Sequence, residues 1–170
     1  MPKLIKHEAV IDDDWVVVPA DATLEALPHG PVIVPLALWL TARDALRTRG
    51  AVGVWLGPAD DPAALAQDVD ALPVIAVDFP KFGDGRGFST ARLVRERYGY
   101  RGELRAIGDV FRDQMFFMRE VGFDAFAVRA DLDPEKELAG FRGFDRVYAH
   151  SVRTARPWFR ERERALSAGE

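Results

Sequence analysis

The sequence predicts an α/β protein: a single domain with a mainly parallel sheet of about five strands, flanked by helices. First, three short apolar runs (residues 74–77, 104–107 and 125–128) stop respectively at Asp78, Gly108-Asp109 and Arg129. Second, helical stretches lie between them, one starting near Ser89 and one running from Asp109 to Val121. Third, the connections are short, which favours neighbouring strands. Strand, loop, helix and strand in succession is the pattern of parallel α/β structure. A partial or irregular βα barrel is the alternative form, because ELRAIGD and DAFAVR also resemble consecutive barrel strands. In either form, ligands bind where the strands end at their C-termini.

Taken in order, the chain begins with Leu4-Ile5 and residues 9–11, then three aspartates, then the strand formers of residues 15–18. Two short strands joined by an acidic turn are predicted there. The aspartates are expected to be a solvated turn, since no EF-hand spacing accompanies them. A short helical turn over residues 23–27 follows. Residues 32–34 are a buried strand leading into a helix over residues 36–49, with Leu38, Trp39, Ala42, Ala45 and Leu46 as its apolar stripe. Leu36 and Leu40 fall off that stripe, which implies cover on more than one side. Gly50 is placed to stop the helix, behind arginines that complement its dipole. Residues 52–56 form the next strand, and Asp60 or Asp61 caps a helix from Ala63 to about Asp70 that opens at Pro62. Beyond Arg129, Asp133 opens a helix over residues 134–141, and residues 146–149 are a last strand candidate. The domain is drawn over residues 1–150. Residues 151–170 form a polar, charge-alternating tail, helical or frayed, in which Trp158 and Phe159 are candidates for docking a partner.

Composition narrows the function classes. The chain has 170 residues, 48% of them hydrophobic and 29% charged, which suits a globular protein with a sizeable core. A net charge of −4 argues against a general nucleic-acid binder. There is no cysteine, so thiolate catalysis, disulfides and cysteine-held zinc or iron–sulfur clusters are excluded. His7, His29 and His150 lack metal-ligand spacing, and no metal site is expected. No stretch matches a membrane span or a secretory leader, so a cytoplasmic location is the expectation.

Candidate binding residues cluster after the strands. Asp78 can orient a ligand, hold a cation or act as a base if its pKa is raised; the alternative is a carboxylate that accepts loop amides. Lys81, Arg86, Ser89 and Thr90 surround a GDGRG loop. Its glycines can turn N–H groups inward, its cations can grip an oxyanion, and its hydroxyls can sit at a helix N-terminus. The loop is neither a Walker motif nor a dinucleotide fingerprint, and GDGRG also forms ordinary turns. Asp109 is a natural N-cap for the following helix. Arg112 and Arg129 can face the same rim. Phe111, Met115, Phe116, Phe117 and Met118 are expected to be core.

The run DFPKFGDGRGFSTARLVRERYGYRGELRAIGDVFRDQMFFMREVGFDAFAVR, with VPLALW at Val34 and GVWL at Gly53, resembles the bacterial DUF934 family over residues 32–149. Members of that family are labelled as oxidoreductases involved in sulfite reduction, a label that derives largely from neighbouring genes. The resemblance implies a role in assimilatory sulfate and sulfite reduction. Sulfite reduction itself moves six electrons through a haem-type or iron–sulfur cofactor, and this chain has no cysteine to hold a cluster. The expectation is therefore an accessory protein that binds a small oxyanion or phosphate-bearing ligand at the strand ends, or docks on sulfite reductase. A small flavin- or nicotinamide-linked oxidoreductase using the same rim is the rival, and a purely structural docking partner is a third possibility.

Overall fold

Among the described residues, the apolar, β-branched runs become strands of one sheet. The structure, a computed structural model, describes residues 2–141 and 150–154. The strands are β1 (Lys3–Lys6), β2 (Ala9–Asp12), β3 (Val16–Val17), β4 (Val32–Pro35), β5 (Val52–Leu56), β6 (Val74–Phe79), β7 (Glu103–Gly108) and β8 (Ala125–Phe126). The α-helices are α1 (Leu36–Arg49), α2 (Arg86–Arg92), α3 (Arg112–Glu120) and α4 (Pro134–Glu137). Strands β3 to β8 lie side by side in chain order, all parallel. The hairpin β1–β2 adds an antiparallel extension beyond β8.

This order has a geometric consequence. The two sheet edges are β2 and β3, yet only residues 13–15 connect them. A flat eight-stranded sheet would be about 34 Å wide at ~4.8 Å per strand pair. A link from Asp12 to Val16 spans at most about 15 Å. The sheet must curl until its edges approach each other, and the result is a half-barrel. The partial βα barrel is thus the form the sheet takes.

The two faces confirm it. Residues of α1, α2 and α3 pack with Val32, Val34, Val54, Ile75, Val77, Phe79, Leu104 and Ala106 on the outer face. The inner face carries Ile33, Val74, Ala76 and Ile107, packed with Trp15, Trp55 and Ala127 and with no helical residue among those described. The period-2 alternation of β6 explains the division: Val74 and Ala76 point in, whereas Ile75, Val77 and Phe79 point out.

Several local expectations hold. Helix α1 has the bounds read from its sequence, kinks at Ala42 and stops at Gly50, whose φ of 102° is the left-handed region that glycine tolerates. Leu36, Trp39 and Leu46 are its buried residues, so the cover does extend off the stripe, while Leu40 stays exposed. Asp133 caps α4 by accepting from the Glu135 N–H.

Others are corrected. The three aspartates are not a hairpin turn. The β1–β2 turn is His7-Glu8, both at positive φ, and residues 13–15 cross from one sheet edge to the other. Nor is Asp13 solvated, because it takes both ends of the buried Arg105 guanidinium at 2.8 and 3.2 Å. Residues 62–71 form two 3-10 turns rather than an α-helix, with Asp61 capping the first. Between the turns, Asp68 is fully buried and accepts from Trp39 Nε1 at 3.0 Å, with Arg47 and Arg43 at 2.6 and 3.1 Å. Those three donors on α1 draw the carboxylate inward. Phe117 is 58% exposed rather than core, whereas Met115, Phe116 and Met118 are buried. Strand β8 is shorter than expected. The strand expected over residues 146–149 and the docking residues Trp158 and Phe159 lie outside the described residues.

Candidate functional site

Alternation along β6 places Asp78 on the inner face, one pleat beyond Ala76, where the parallel strands end. It meets a cavity of about 360 Å³ lined also by Trp55 at the end of β5, Ile107 at the end of β7, and Val17 to Ala20 leaving β3. The exits of four strands, β3, β5, β6 and β7, thus line the mouth of the half-barrel. Trp55 is oriented by donating its indole N–H to the Val18 carbonyl at 3.0 Å.

The Asp78 carboxylate is half-buried and accepts no hydrogen bond among the described residues. Burial raises its pKa, and the negative charge of Asp84 raises it further. Its seat depends on Gly108, on the neighbouring strand. A Cβ there would stand 2.5 Å from Asp78 Oδ1 and 2.5 Å from the Phe79 carbonyl oxygen, and the backbone φ is +91°. Only glycine lets the two strand ends close this tightly.

The sequence-predicted residues separate into groups. Asp78, Asp109 and Arg129 do share one edge, because β6, β7 and β8 are adjacent and parallel. Asp109 does not cap α3. The turn at Gly108 sends the Asp109 N–H to the Phe79 carbonyl at 2.7 Å, and its carboxylate accepts from Phe82 N–H and Arg129. The helix begins at Arg112, whose N–H is taken at 2.6 Å by the buried Glu137 carboxylate of α4. Arg129 is shared between Asp109 and Asp131, and both carboxylates push its pKa upward.

The GDGRG loop carries its own anion. Asp84 accepts from Arg86 Nε at 2.9 Å, Nη2 at 2.7 Å and backbone N–H at 3.2 Å. The pairing lowers the Asp84 pKa and raises that of Arg86. Helix α2 therefore starts at Arg86, three residues before Ser89. Ser89 is exposed and Thr90 buried in its body, so neither hydroxyl stands at the N-terminus. The Arg112 side chain is exposed, with Asp113 at 3.5 Å. Lys81 is exposed and forms no ion pair among the described residues, so it is the uncommitted cation of the loop. Outside the mouth, Phe82 and Phe117 are each 58% exposed and border an apolar groove with Phe88 and Phe116.

Sequence inspection did not single out Trp55, Ile107 or residues 17–20. The alternation in GVWL puts Trp55 opposite Val54, but its inward direction depends on which sheet face the helices cover. Among the described residues, no group of three or more histidine, aspartate and glutamate side chains could hold a metal ion, and no helix is long and apolar enough to cross a membrane.

A family model described as "Bacterial protein of unknown function (DUF934)" matches residues 53–159, well over half of the chain, and the protein belongs to that family. No curated protein matches the sequence.

Proposed function

We propose that this DUF934 protein is an accessory component of assimilatory sulfite reduction that holds a small ligand at the mouth of its half-barrel. The observation that carries the ligand site is Asp78. Its half-buried carboxylate accepts no hydrogen bond among the described residues and faces a cavity at the strand ends, where βα folds place their chemistry. A carboxyl whose pKa is raised by burial holds its proton more tightly than an exposed one. Asp78 therefore donates to or accepts from the bound group, Trp55 and Ile107 supply the apolar wall, and Lys81 on the exit loop attracts the anion. Arg86 holds its loop by pairing with Asp84 and Arg129 holds its own by pairing with Asp109, with Ser89, Thr90 and Arg112 in the surrounding helices.

The sulfur pathway rests on the label carried by the family, and the test separates it from the ligand site. A strain lacking the gene is grown on sulfate, sulfite or sulfide as sole sulfur source. The expected outcome is failure on sulfate and sulfite with rescue by sulfide. Normal growth on all three removes the pathway role. Complementation with Asp78→Asn then tests the mouth: full restoration excludes Asp78 from the function.

The exposed pair Phe82 and Phe117 favours a second reading, in which the protein acts by docking on sulfite reductase. Co-purification with the reductase that is lost in Phe117→Ser would support docking; unchanged co-purification would count against that face.

A further inference from the structure

We propose a second binding site, unrelated to the mouth, for an organic oxyanion: a phosphate or sulfonate group carried on an apolar body. It occupies a cavity of about 570 Å³ whose lining includes Arg95, Arg101, Arg119, Arg153, Glu8 and Asp124. Four arginines face two carboxylates there, in a chain whose overall charge is −4. The local excess of positive charge therefore runs against the charge of the molecule.

The arginines are not equivalent. Arg95 is consumed by the fold: it donates to the carbonyls of Gly122, Tyr100 and Gly102 and to Asp124, each at 2.9–3.0 Å. Arg119 pairs with Glu8 through Nη1, but its Nε is buried with no hydrogen-bond partner among the described residues. Arg101 and Arg153 are exposed at the cavity and have no carboxylate partner among those residues. Uncommitted guanidinium groups beside a concavity suit a phosphate or sulfonate, which accepts paired N–H bonds.

Size and wall chemistry refine the ligand. The cavity exceeds what a bare oxyanion needs and falls in the range of small-molecule sites. Phe123, Phe126 and Phe141 are buried beneath its floor, and the Arg119 guanidinium lies over the Phe141 ring at 5.3 Å. A planar group seated over that floor beside the Arg119 guanidinium, with its anion toward Arg101 and Arg153, uses both features. A mononucleotide has this build.

The probes are AMP, FMN and inorganic phosphate, titrated by calorimetry into the full chain at two salt concentrations. The expected result is saturable binding of AMP or FMN, tighter than phosphate and weakened by salt. Arg101→Ala/Arg153→Ala, which alters exposed side chains only, should weaken that binding at least ~10-fold, about the loss of one charge-assisted contact. Asp78→Asn should leave it unchanged, which separates this site from the mouth. No saturable binding of either nucleotide, or equal affinity in the double variant, overturns the proposal; loss of binding in Asp78→Asn reassigns the ligand to the mouth and overturns it as well.

Discussion

The two ends of the half-barrel treat charge in opposite ways. At the end where the strands begin, an ionic network around the buried Arg105 is engaged on every side, whereas Arg101 and Arg153 lie outside it. Arg105 is 1% exposed and binds Asp13 and Glu103, while Glu103 also receives Lys6 at 2.7 Å. Asp124 accepts from the Leu104 N–H and from Arg95. This network ties the crossing segment, the hairpin and β7 together, so it holds the curl of the sheet. At the end where the strands finish, the ion pairs are exposed, and Asp78 and Lys81 remain uncommitted. Charges that close this fold have partners, whereas Asp78, Lys81, Arg101 and Arg153 of the two proposed sites are left without one among the described residues.

The strongest way to break this contrast is Arg105→Met. Removing one partner of a buried network leaves Asp13 uncompensated and Glu103 with Lys6 alone, at a cost of about 3–5 kcal/mol. Urea unfolding measures it, and a loss below ~1 kcal/mol would show that the network does not hold the curl. Gly108→Ala comes next, at about 1–3 kcal/mol, because an L residue at positive φ is strained and its Cβ meets Asp78 and Phe79. Its carbon-detected NMR spectrum should also show a displaced Asp78 carboxyl resonance.

Asp78→Asn should alter stability by less than about 1 kcal/mol, since the group is partly solvated. Its pH dependence carries a sign. The folded-state pKa of Asp78 lies above its ordinary 3.8, so the folded protein holds this proton more tightly than the unfolded chain. The favourable contribution is fully present below 3.8 and is lost as pH rises through the folded value. The stability difference between parent and Asp78→Asn should therefore change only in that window and be flat above it. Denaturant midpoints measured across acidic pH test this; a difference that grows toward neutral pH would contradict it. The smallest effect belongs to Asp84→Asn. Removing that charge should bring the Asp78 titration midpoint down toward the ordinary carboxylate range, with burial retaining part of the shift.

Much of the fold was legible because local patterns and tertiary packing agree. Apolar runs at residues 32–34, 52–56 and 74–77 have the length and residue types of buried strands, and Pro35 with Gly50 brackets α1. Asp78, Asp109 and Arg129 could be assigned to one edge for the same reason. What misled was chemistry with more than one local solution. Asp109 looked like a helix cap, but Phe82 and Arg129 compete for its oxygens, and a carboxylate from α4 takes the cap position instead. The GDGRG loop looked like an open anion site, yet it contains both Arg86 and the aspartate that satisfies it.

By itself, then, the sequence determined the strands, the principal helix, the absence of cysteine chemistry and the edge where a site should lie. These follow from side-chain periodicity and residue type, which act over a few positions. The closure of the sheet, the inward turn of Trp55, the burial of Arg105 against Asp13 and the isolation of Asp78 were decided only in three dimensions. Each requires residues far apart in the chain to meet, and such a meeting depends on sheet order and curvature that no local pattern encodes.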